Sequence, residues 1–420
     1  MEKVLIVSYF FPPSNFVGGI RTEFWVKELH KFNYYPIVLT RLWNENQINL
    51  SDKVYPNKLR VEKNKNFEIH RLPVRMSLRR KLDHVRIPSI IKKGVTLWDT
   101  IVSTFIFKKS IHYNFYIYLD ELLNNDPKLN LLIISGRPFE SFQVGYEIKR
   151  KHQRIKWFAD YRDEWTTFQN KSSLPLANKL TNIFHRKFEK KWTSNCDSLI
   201  TVSENWLKSI QKIVDKPGQV VMNGFDDKEK YIESKTNNKL ILSYIGTLYP
   251  NQDINVLFNG VRKCQFTDMI KIVFVGVNFI DGQKKRIIEE SKGLNVELID
   301  RVPKEKLENY IAHTDLFFLT KLTGVKGWFP VKIFDYLKWR RPILLCPGDN
   351  DVLDQVILRT NTGYIINDSF KCATILESLY REKQNIPMEF NPNESEVKKY
   401  SRQYQTKILA RILDSKSQLK

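Results

Sequence analysis

Residues 3–32 read KVLIVSYF-FPPSNFVGGIR-TEFWVKELHKF, and this stretch decides the fold class. The apolar run Lys3–Phe10 predicts a buried strand, because short runs of Val, Ile and Leu are typical of strands covered on both faces. Ile20–Phe32 then brings apolar residues to one side at helical spacing, which predicts a helix. A strand joined to a helix by a short loop is the repeating unit of a parallel sheet covered by helices.

The same alternation continues along the chain in two series, which the polar, Lys-rich segment 226–239 separates. Further strands of the first series are predicted at residues 36–40, 130–135, 155–160, 198–202 and 219–222. Strands of the second series are predicted at residues 240–245, 271–275, 295–299, 315–319, 342–345 and 363–366. The chain is therefore predicted to be an α/β protein with two doubly wound, Rossmann-like domains.

A length of 420 residues fits two or three domains at roughly 100–200 residues each. We expect an N-terminal domain over residues 1–230 and a C-terminal domain over 231–390. The last segment, 391–420, is predicted to form a helix, Glu394–Leu413, that packs on the N-terminal domain. Two such domains are expected to face a cleft, with ligands at the carboxyl ends of the strands.

The amino-acid composition excludes several classes of protein. Apolar residues make up 42 %, which excludes collagen-like, low-complexity and fully disordered chains. The four cysteines lie far apart, so neither a Cys-x-x-Cys metal site nor a disulfide framework is expected. The 68 Lys and Arg against 46 Asp and Glu leave a net charge of +22, which fits an anionic partner and equally a generally basic surface.

Two loops of the first series hold candidate functional residues. Gly18 and Gly19 open the first helix and allow backbone amides to approach an anion, with Arg21 as a further donor. A turn that simply needs glycine is an equally good interpretation. The stretch 160–165 reads DYRDEW just after a predicted strand, and Asp163 there could orient a sugar hydroxyl or accept a proton. The alternative is an Arg–Asp pair that braces the loop.

The second series has two corresponding loops. Gly246 and Thr247 follow its first strand, where glycine permits close approach of a ligand. A helix is predicted to begin near Val331, and Lys332 in its first turn would favour a diphosphate. Asp335 lies one turn later and could hold both hydroxyls of a ribose. A solvated ion pair between Lys332 and Asp335 is the simpler alternative.

These motifs form an ordered set along most of the chain. The set comprises PP at 12–13, GG at 18–19, SGRPF at 135–139, DYRDEW at 160–165, TVS at 201–203, NGFD at 223–226, YIGTLY at 244–249 and KIFDYL at 332–337. The chain resembles retaining glycosyltransferases of the GT-B fold, the group known as glycosyltransferase family 4 or group 1. The resemblance covers nearly the whole chain apart from about 45–115.

The resemblance implies a nucleotide-sugar donor in the C-terminal domain and an acceptor in the N-terminal domain. It implies donor binding by Gly18, Gly19, Arg21, Gly246, Thr247, Lys332 and Asp335. Catalytic roles would fall to Lys332, Asp163 and Arg137, without a metal or other cofactor. The chain departs from the family at three places. Gly327 stands where the first of two glutamates is usual, Asn251-Gln252 replace a basic residue, and a histidine near Arg137 is absent.

Segment 71–115 is basic, with ten Lys or Arg and two Asp, a net charge of 10 − 2 = +8. Its basic residues are Arg71, Arg75, Arg79, Arg80, Lys81, Arg86, Lys92, Lys93, Lys108 and Lys109. Bulky apolar residues alternate with them, a pattern typical of segments that lie on anionic lipid. An ordinary helical insert with a solvated face is the next interpretation, and no nucleic-acid-binding module is recognisable.

The sequence thus predicts a metal-independent glycosyltransferase that transfers a sugar to a membrane-associated glycan or lipid-linked acceptor, as in surface polysaccharide assembly. It would be cytoplasmic and peripheral at the inner face of the cell membrane. No Asp-x-Asp pair directly ends a predicted strand, which is why no metal is expected. The alternatives are a non-catalytic GT-B binding protein and a nucleotide-sugar epimerase, although an epimerase would need more acid–base residues.

Overall fold

The computed structural model describes residues 1–14, 16–43, 58–82, 85, 87–167, 176–228, 232–235, 237–385 and 390–417. The chain forms two compact units. The first comprises Met1–Met222 together with Gln405–Lys420, and the second comprises Asn223–Tyr404. The units therefore divide at Met222, whereas the predicted boundary at 230–231 lies outside the described residues.

The first unit contains an eight-stranded sheet. Its strands are β1 (Glu2–Ser8), β2 (Tyr34–Arg41), β3 (Arg60–Lys63), β4 (Glu68–Leu72), β5 (Leu131–Gly136), β6 (Lys156–Tyr161), β7 (Ser198–Thr201) and β8 (Gly218–Val220). Their spatial order is β3-β4-β2-β1-β5-β6-β7-β8, and every pair is parallel except β3 with β4. Strand order reverses direction at β1, which pairs with β2 on one side and β5 on the other.

The helices between these strands follow the α/β pattern. They are α1 (Ile20–Glu28), α2 (Leu78–Lys81), α3 (Ser89–Phe105), α4 (Tyr113–Asn125), α5 (Phe142–Lys151), α6 (Leu176–Thr193) and α7 (Glu204–Val214). The predicted helix Ile20–Phe32 ends early, because its last four residues tighten into a 3₁₀ turn. Asn33 closes that turn with a positive φ of 66°.

The second unit contains a six-stranded, wholly parallel sheet in the order β11-β10-β9-β12-β13-β14. Its strands are β9 (Leu240–Ile245), β10 (Ile270–Val275), β11 (Val296–Ile299), β12 (Leu316–Leu319), β13 (Ile343–Leu345) and β14 (Gly363–Ile365). Its helices are α8 (Asn255–Lys263), α9 (Gln283–Glu290), α10 (Lys304–Ala312), α11 (Val331–Trp339), α12 (Val352–Thr360), α13 (Ser369–Asn385) and α14 (Glu394–Lys398). Strand order reverses direction at β9.

The last helix, α15 (Arg402–Ser417), completes the core of the first unit. Its apolar residues Leu409, Ala410, Ile412 and Leu413 are buried in one cluster with strand residues such as Val4. The prediction of two Rossmann-like domains with a C-terminal helix that returns to the first one is therefore confirmed. The core is apolar on both faces of the sheet, as parallel strands require.

Two features of the fold differ from the sequence-based expectation. Strands β3 and β4 were not predicted, and they extend the sheet at one edge. The predicted single helix Glu394–Leu413 is broken between α14 and α15. The break has a local cause, since Phe225 exchanges backbone hydrogen bonds with Tyr400 and Arg402 at 3.0 and 2.8 Å. These backbone groups are thus paired with an extended segment and not with the preceding helical turn.

The basic segment 71–115 spans the end of β4, all of α2 and α3, and the start of α4. Arg71 is buried and pairs with Glu62 at 2.7 Å, so it belongs to the sheet rather than to the surface. Arg75 lies over the Tyr113 ring at 5.3 Å. Asp83 and Arg86 lie outside the described residues. Among the helices that the structure describes, none has the length and apolarity needed to cross a bilayer.

We predict that Leu413→Ala lowers the free energy of unfolding of the first unit by about 2–5 kcal/mol. Leu413 is fully buried in the core cluster, so truncation leaves a cavity. Arg411→Ala on the exposed side of the same helix is the matched control and should change stability by less than about 0.5 kcal/mol. Urea unfolding of both variants is the measurement. Equal stability of the two would show that α15 contributes little to this core.

Candidate functional site

The loop after β1 is shaped by close packing. A Cβ on Gly18 would lie 1.8 Å from Nη1 of Arg162, and a Cβ on Gly19 would lie 3.0 Å from the carbonyl oxygen of Phe10. A side chain at position 18 would have to displace the flexible end of Arg162, and one at position 19 would press on the backbone of Phe10 and Phe11. The loop lies at the carboxyl end of β1, where the strand order reverses direction and ligands of doubly wound sheets bind.

Arg21, predicted to contact an anionic ligand, lies in the interior of the first unit. Its side chain is 2 % exposed and forms an ion pair with Asp160 at 3.0 Å. It also donates to the carbonyl oxygen of Val221 and lies over the Trp25 ring at 4.5 Å. These contacts give Arg21 a structural role, because a guanidinium enclosed in this way presents no donor to solvent. Burial lowers the pKa of Arg21, and Asp160 opposes that effect.

Asp163 and Arg137 lie together at the carboxyl ends of β6 and β5. Oδ2 of Asp163 is 3.9 Å from Nε of Arg137 and 3.4 Å from Nη2 of Arg162. The Arg137 side chain is 61 % exposed and that of Asp163 39 % exposed, so both can reach a ligand. Arg162 in turn lies against Gly18. The structure thus brings three predicted residues close together, since Arg162 lies beside Gly18 and Asp163, and Asp163 lies beside Arg137.

Such a group can recognise a polar substrate. A partly exposed carboxylate between two guanidiniums can accept a hydrogen bond from a hydroxyl, while Arg137 can donate to oxygen. The Arg–Asp pair that braces the loop, considered above as the alternative interpretation of 160–165, is also present in the contact between Arg162 and Asp163. Bracing and ligand binding are compatible here, because Arg162 is largely buried whereas Asp163 is not.

In the second unit, Lys332 lies beside the loop that follows β9. Its Nζ donates to the carbonyl oxygen of Thr247 at 2.7 Å and to the hydroxyl of Tyr244. The ammonium also lies 3.8 Å from the centre of the Tyr244 ring, a cation–π contact. Gly246 has a φ of +100°, and a Cβ there would be 3.8 Å from Cε of Lys332. The structure therefore brings the predicted residues Gly246, Thr247 and Lys332 together.

Burial affects the charge of this lysine. It lowers the pKa of Lys332 well below its usual value, and the carboxylate of Asp335 on the next turn of α11 partly opposes this shift. An anion bound near Nζ would favour the charged form further, because opposite charges stabilise each other strongly away from water. α11 begins at Val331, so its unpaired amides and its dipole add positive potential beside Lys332.

Lys332 is positioned by Tyr244, which in turn is held by Gln252, and neither residue was predicted as part of the site. Gln252 is fully buried, and its Oε1 accepts hydrogen bonds from the Tyr244 hydroxyl and the Tyr249 amide, both at 3.0 Å. Its Nε2 donates to the carbonyl oxygen of Thr320 at 3.0 Å, which links the loops after β9 and β12. Gln252 had been noted only where a basic residue was expected. The feature of the sequence that could have indicated a role for Gln252 is a polar residue in the loop between β9 and α8.

Gly327, at the position of the first family glutamate, has a φ of +70°. Its amide donates to Oδ2 of Asp351 at 2.6 Å. Asp351 belongs to an Asp-Asn-Asp sequence, 349–351, which begins four residues after β13. Asp349 accepts backbone hydrogen bonds from Asp351 and Leu353. Across the described ranges, no three His, Cys, Asp or Glu side chains group as metal ligands.

Comparison with known proteins identifies the fold. No family model matches the sequence, and no curated protein sequence matches it. The two Rossmann-like units have the same fold as solved structures of GT-B glycosyltransferases. Sucrose-phosphate synthase from Thermosynechococcus elongatus is similar with a TM-score of 0.63 and 12 % identity, over 99 % of both chains.

Two further solved structures have the same fold. Trehalose 6-phosphate synthase from Burkholderia multivorans is similar with a TM-score of 0.61 and 7 % identity, over 99 % of this chain and 97 % of the other. HepE from Anabaena, solved in complex with UDP-glucose, gives a TM-score of 0.57 and 10 % identity, over 98 % and 99 % of the two chains. The resemblance inferred from the ordered motifs is thus supported at the level of fold.

We predict that Arg21→Met destabilises the first unit by about 3–5 kcal/mol, because it leaves the buried Asp160 carboxylate without its ion-pair partner. Lys27→Met on the same helix is the matched control. It breaks an exposed pair with Glu23, so its effect should stay below about 0.5 kcal/mol. Urea unfolding of both variants measures the difference. A similar small loss in the two would remove Arg21 from the framework of the unit.

Proposed function

We propose that the chain is a retaining glycosyltransferase of family 4 that transfers a sugar from a nucleotide-sugar to a membrane-associated glycan or lipid-linked acceptor. The observation that carries this proposal is the position of Lys332. Its ammonium lies in the first turn of α11, against the loop 246–247. A cation, a helix N-terminus and a glycine loop at the carboxyl end of a central strand suit a diphosphate.

The donor would occupy the second unit. Lys332 and the amides at the start of α11 would bind the diphosphate, Asp335 would hold the ribose hydroxyls, and Gly246 and Thr247 would line the opposite side. The UDP-glucose bound to HepE, a protein of the same fold, supports a nucleotide-sugar as donor.

The acceptor would bind to the first unit at Asp163 and Arg137. Asp163 would accept a hydrogen bond from the attacking hydroxyl, and Arg137 would bind other acceptor oxygens. In the transfer, the bond between the anomeric carbon and the diphosphate oxygen breaks, the acceptor hydroxyl oxygen forms the new bond to that carbon, and the hydroxyl proton passes to the Asp163 carboxylate. Lys332 would stabilise the negative charge that develops on the leaving diphosphate, without a metal.

The membrane-associated acceptor is proposed from the basic segment 71–115. Lys93, Lys108 and Lys109 are exposed there, and each basic residue near an anionic membrane contributes about 1 kcal/mol. A protein held at the inner face of the cell membrane would meet lipid-linked glycans directly. Surface polysaccharide assembly is the process that fits such an acceptor.

We predict that Lys332→Ala reduces turnover of a nucleotide-sugar by about 10²–10³-fold, because the variant lacks the cation that stabilises the leaving diphosphate. Release of the nucleoside diphosphate is measured with a panel of nucleotide-sugars, without acceptor and then with a soluble glycan. Lys371→Ala is the matched control, an exposed lysine in the first turn of α13 in the same unit. It should turn over donor like the wild type.

Stability is measured on the same variants to separate catalysis from folding. Lys332→Ala should lose only about 1 kcal/mol, since two hydrogen bonds disappear while a buried charge is also removed. Equal turnover of Lys332→Ala and wild type at saturating donor would exclude Lys332 from the mechanism. A wild type that hydrolyses and transfers none of the donors would favour the non-catalytic alternative.

We predict that the activity does not depend on a divalent metal. Charge stabilisation by Lys332 and α11 replaces the metal in this proposal, so excess EDTA should leave the rate within about twofold of the untreated enzyme. The rate is measured before and after chelation, and again after Mg²⁺ or Mn²⁺ is added back. Loss of activity with EDTA and its recovery with either ion would contradict this mechanism.

A further inference from the structure

Helix α3 has an apolar face that points to solvent. At 100° per residue, the side chains of its Ile, Leu, Trp and Phe residues fall within about 120° of the helix circumference. All of them are exposed, with exposed fractions of 77 % for Ile90, 49 % for Ile91, 62 % for Leu97, 60 % for Trp98, 43 % for Ile101 and 69 % for Phe105. An ordinary surface helix has the opposite orientation, with its apolar face in the core.

The side of α3 opposite this apolar face packs against α2. Asp99 is only partly exposed, and its carboxylate accepts hydrogen bonds from the backbone amides of Leu78, at 3.2 Å, and Arg79 at the start of α2. Val102 and Ser103 are also only partly exposed. The contacts of Asp99 with α2 therefore determine which side of α3 points to solvent.

The apolar surface continues onto α6. The Phe105 ring meets the Phe188 ring edge-on, with 5.6 Å between centroids. One turn before Phe188, Ile183 and Phe184 are each 56 % exposed. We call this combined surface the α3–α6 patch. Exposed basic residues accompany it on the same segments, namely Lys93, Lys108, Lys109, Arg186, Lys187, Lys190 and Lys191.

We propose that the α3–α6 patch inserts into one leaflet of an anionic phospholipid bilayer, with α3 parallel to the membrane plane. A helix with an apolar face and basic neighbours sits at the boundary between headgroups and acyl chains, where both kinds of residue are satisfied. The positive charge complements anionic headgroups and specifies this partner rather than another protein. This inference deepens the proposed function and rests on it for the location of the acceptor.

Insertion differs from binding by charge alone. Apolar side chains in the acyl region hold the protein at high ionic strength, whereas surface ion pairs are screened over about 10 Å at 0.1 M salt. Basic residues would therefore set the preference for anionic lipid, and the apolar face would give binding that salt weakens without abolishing. The two contributions can be removed separately, since the apolar and basic side chains are both exposed.

The test is co-sedimentation with vesicles of phosphatidylcholine alone or with phosphatidylglycerol, in the absence of donor. Replacing Leu97, Trp98 and Ile101 with Gln should raise the lipid concentration for half-binding at least about tenfold on mixed vesicles. Replacing Lys93, Lys108 and Lys109 with Gln should weaken binding to mixed vesicles only. The matched control replaces three exposed apolar residues of the second unit with Gln, Phe279, Leu358 and Phe370, and should bind like the wild type.

The depth to which Trp98 enters the bilayer is measured with lipids that are brominated in the acyl chain. They should quench part of the tryptophan emission of the wild type and less of it in Trp98→Phe at equal binding. Wild-type binding by the Leu97, Trp98 and Ile101 variant, or equal quenching of Trp98→Phe, would overturn insertion. So would a lipid-free dimer that this variant abolishes, because the patch would then be a protein interface. Vesicle binding without any donor turnover would refute the proposed function and leave this inference standing.

Discussion

The first unit depends on one buried ion pair, between Arg21 of α1 and Asp160 of β6. Asp160 also accepts a hydrogen bond from Ser135 of β5 at 2.8 Å, and Arg21 reaches the carbonyl oxygen of Val221 just after β8. These contacts join α1, β5, β6 and the residue after β8 near the carboxyl ends of the strands. Since a buried charge is costly without its partner, these contacts form together or not at all. The loops that present Gly18, Arg137 and Asp163 all begin from this fixed point.

In the second unit, the loops at the carboxyl ends of the strands are held by hydrogen bonds between uncharged groups and not by an ion pair. Tyr244, whose pKa burial raises well above its usual value, stays protonated, so its hydroxyl can both accept from Lys332 and donate to Gln252. A neutral network around a single cation leaves that cation available to an incoming anion. In the first unit, by contrast, the buried cation is already neutralised by Asp160. This difference explains why the basic residue at the second position of α1 has a structural role while the one at the second position of α11 can meet a ligand.

The sequence predicted an element well where the residues of that element all favour the same environment. Strand β9 was predicted with its observed limits, because six consecutive apolar or small residues lie between polar turns. Strand β4 was missed because its sequence EIHRL mixes charge with apolar residues, and Arg71 is tolerated inside only through Glu62 on the adjacent strand. Arg21 was assigned to a ligand because its partner lies 139 positions away. The outward face of α3 was likewise hidden, since periodicity gives an apolar face but not its direction.

The first unit is built from two separate stretches of the chain, and this affects its folding during synthesis on the ribosome. Residues 1–222 emerge first, yet their core lacks Leu409, Ile412 and Leu413 until residues 405–420 have been made. The whole of the second unit is translated in between. The nascent first unit therefore exposes an apolar gap for the time needed to add nearly half of the chain, and a chaperone that shields such gaps would have a defined place to act.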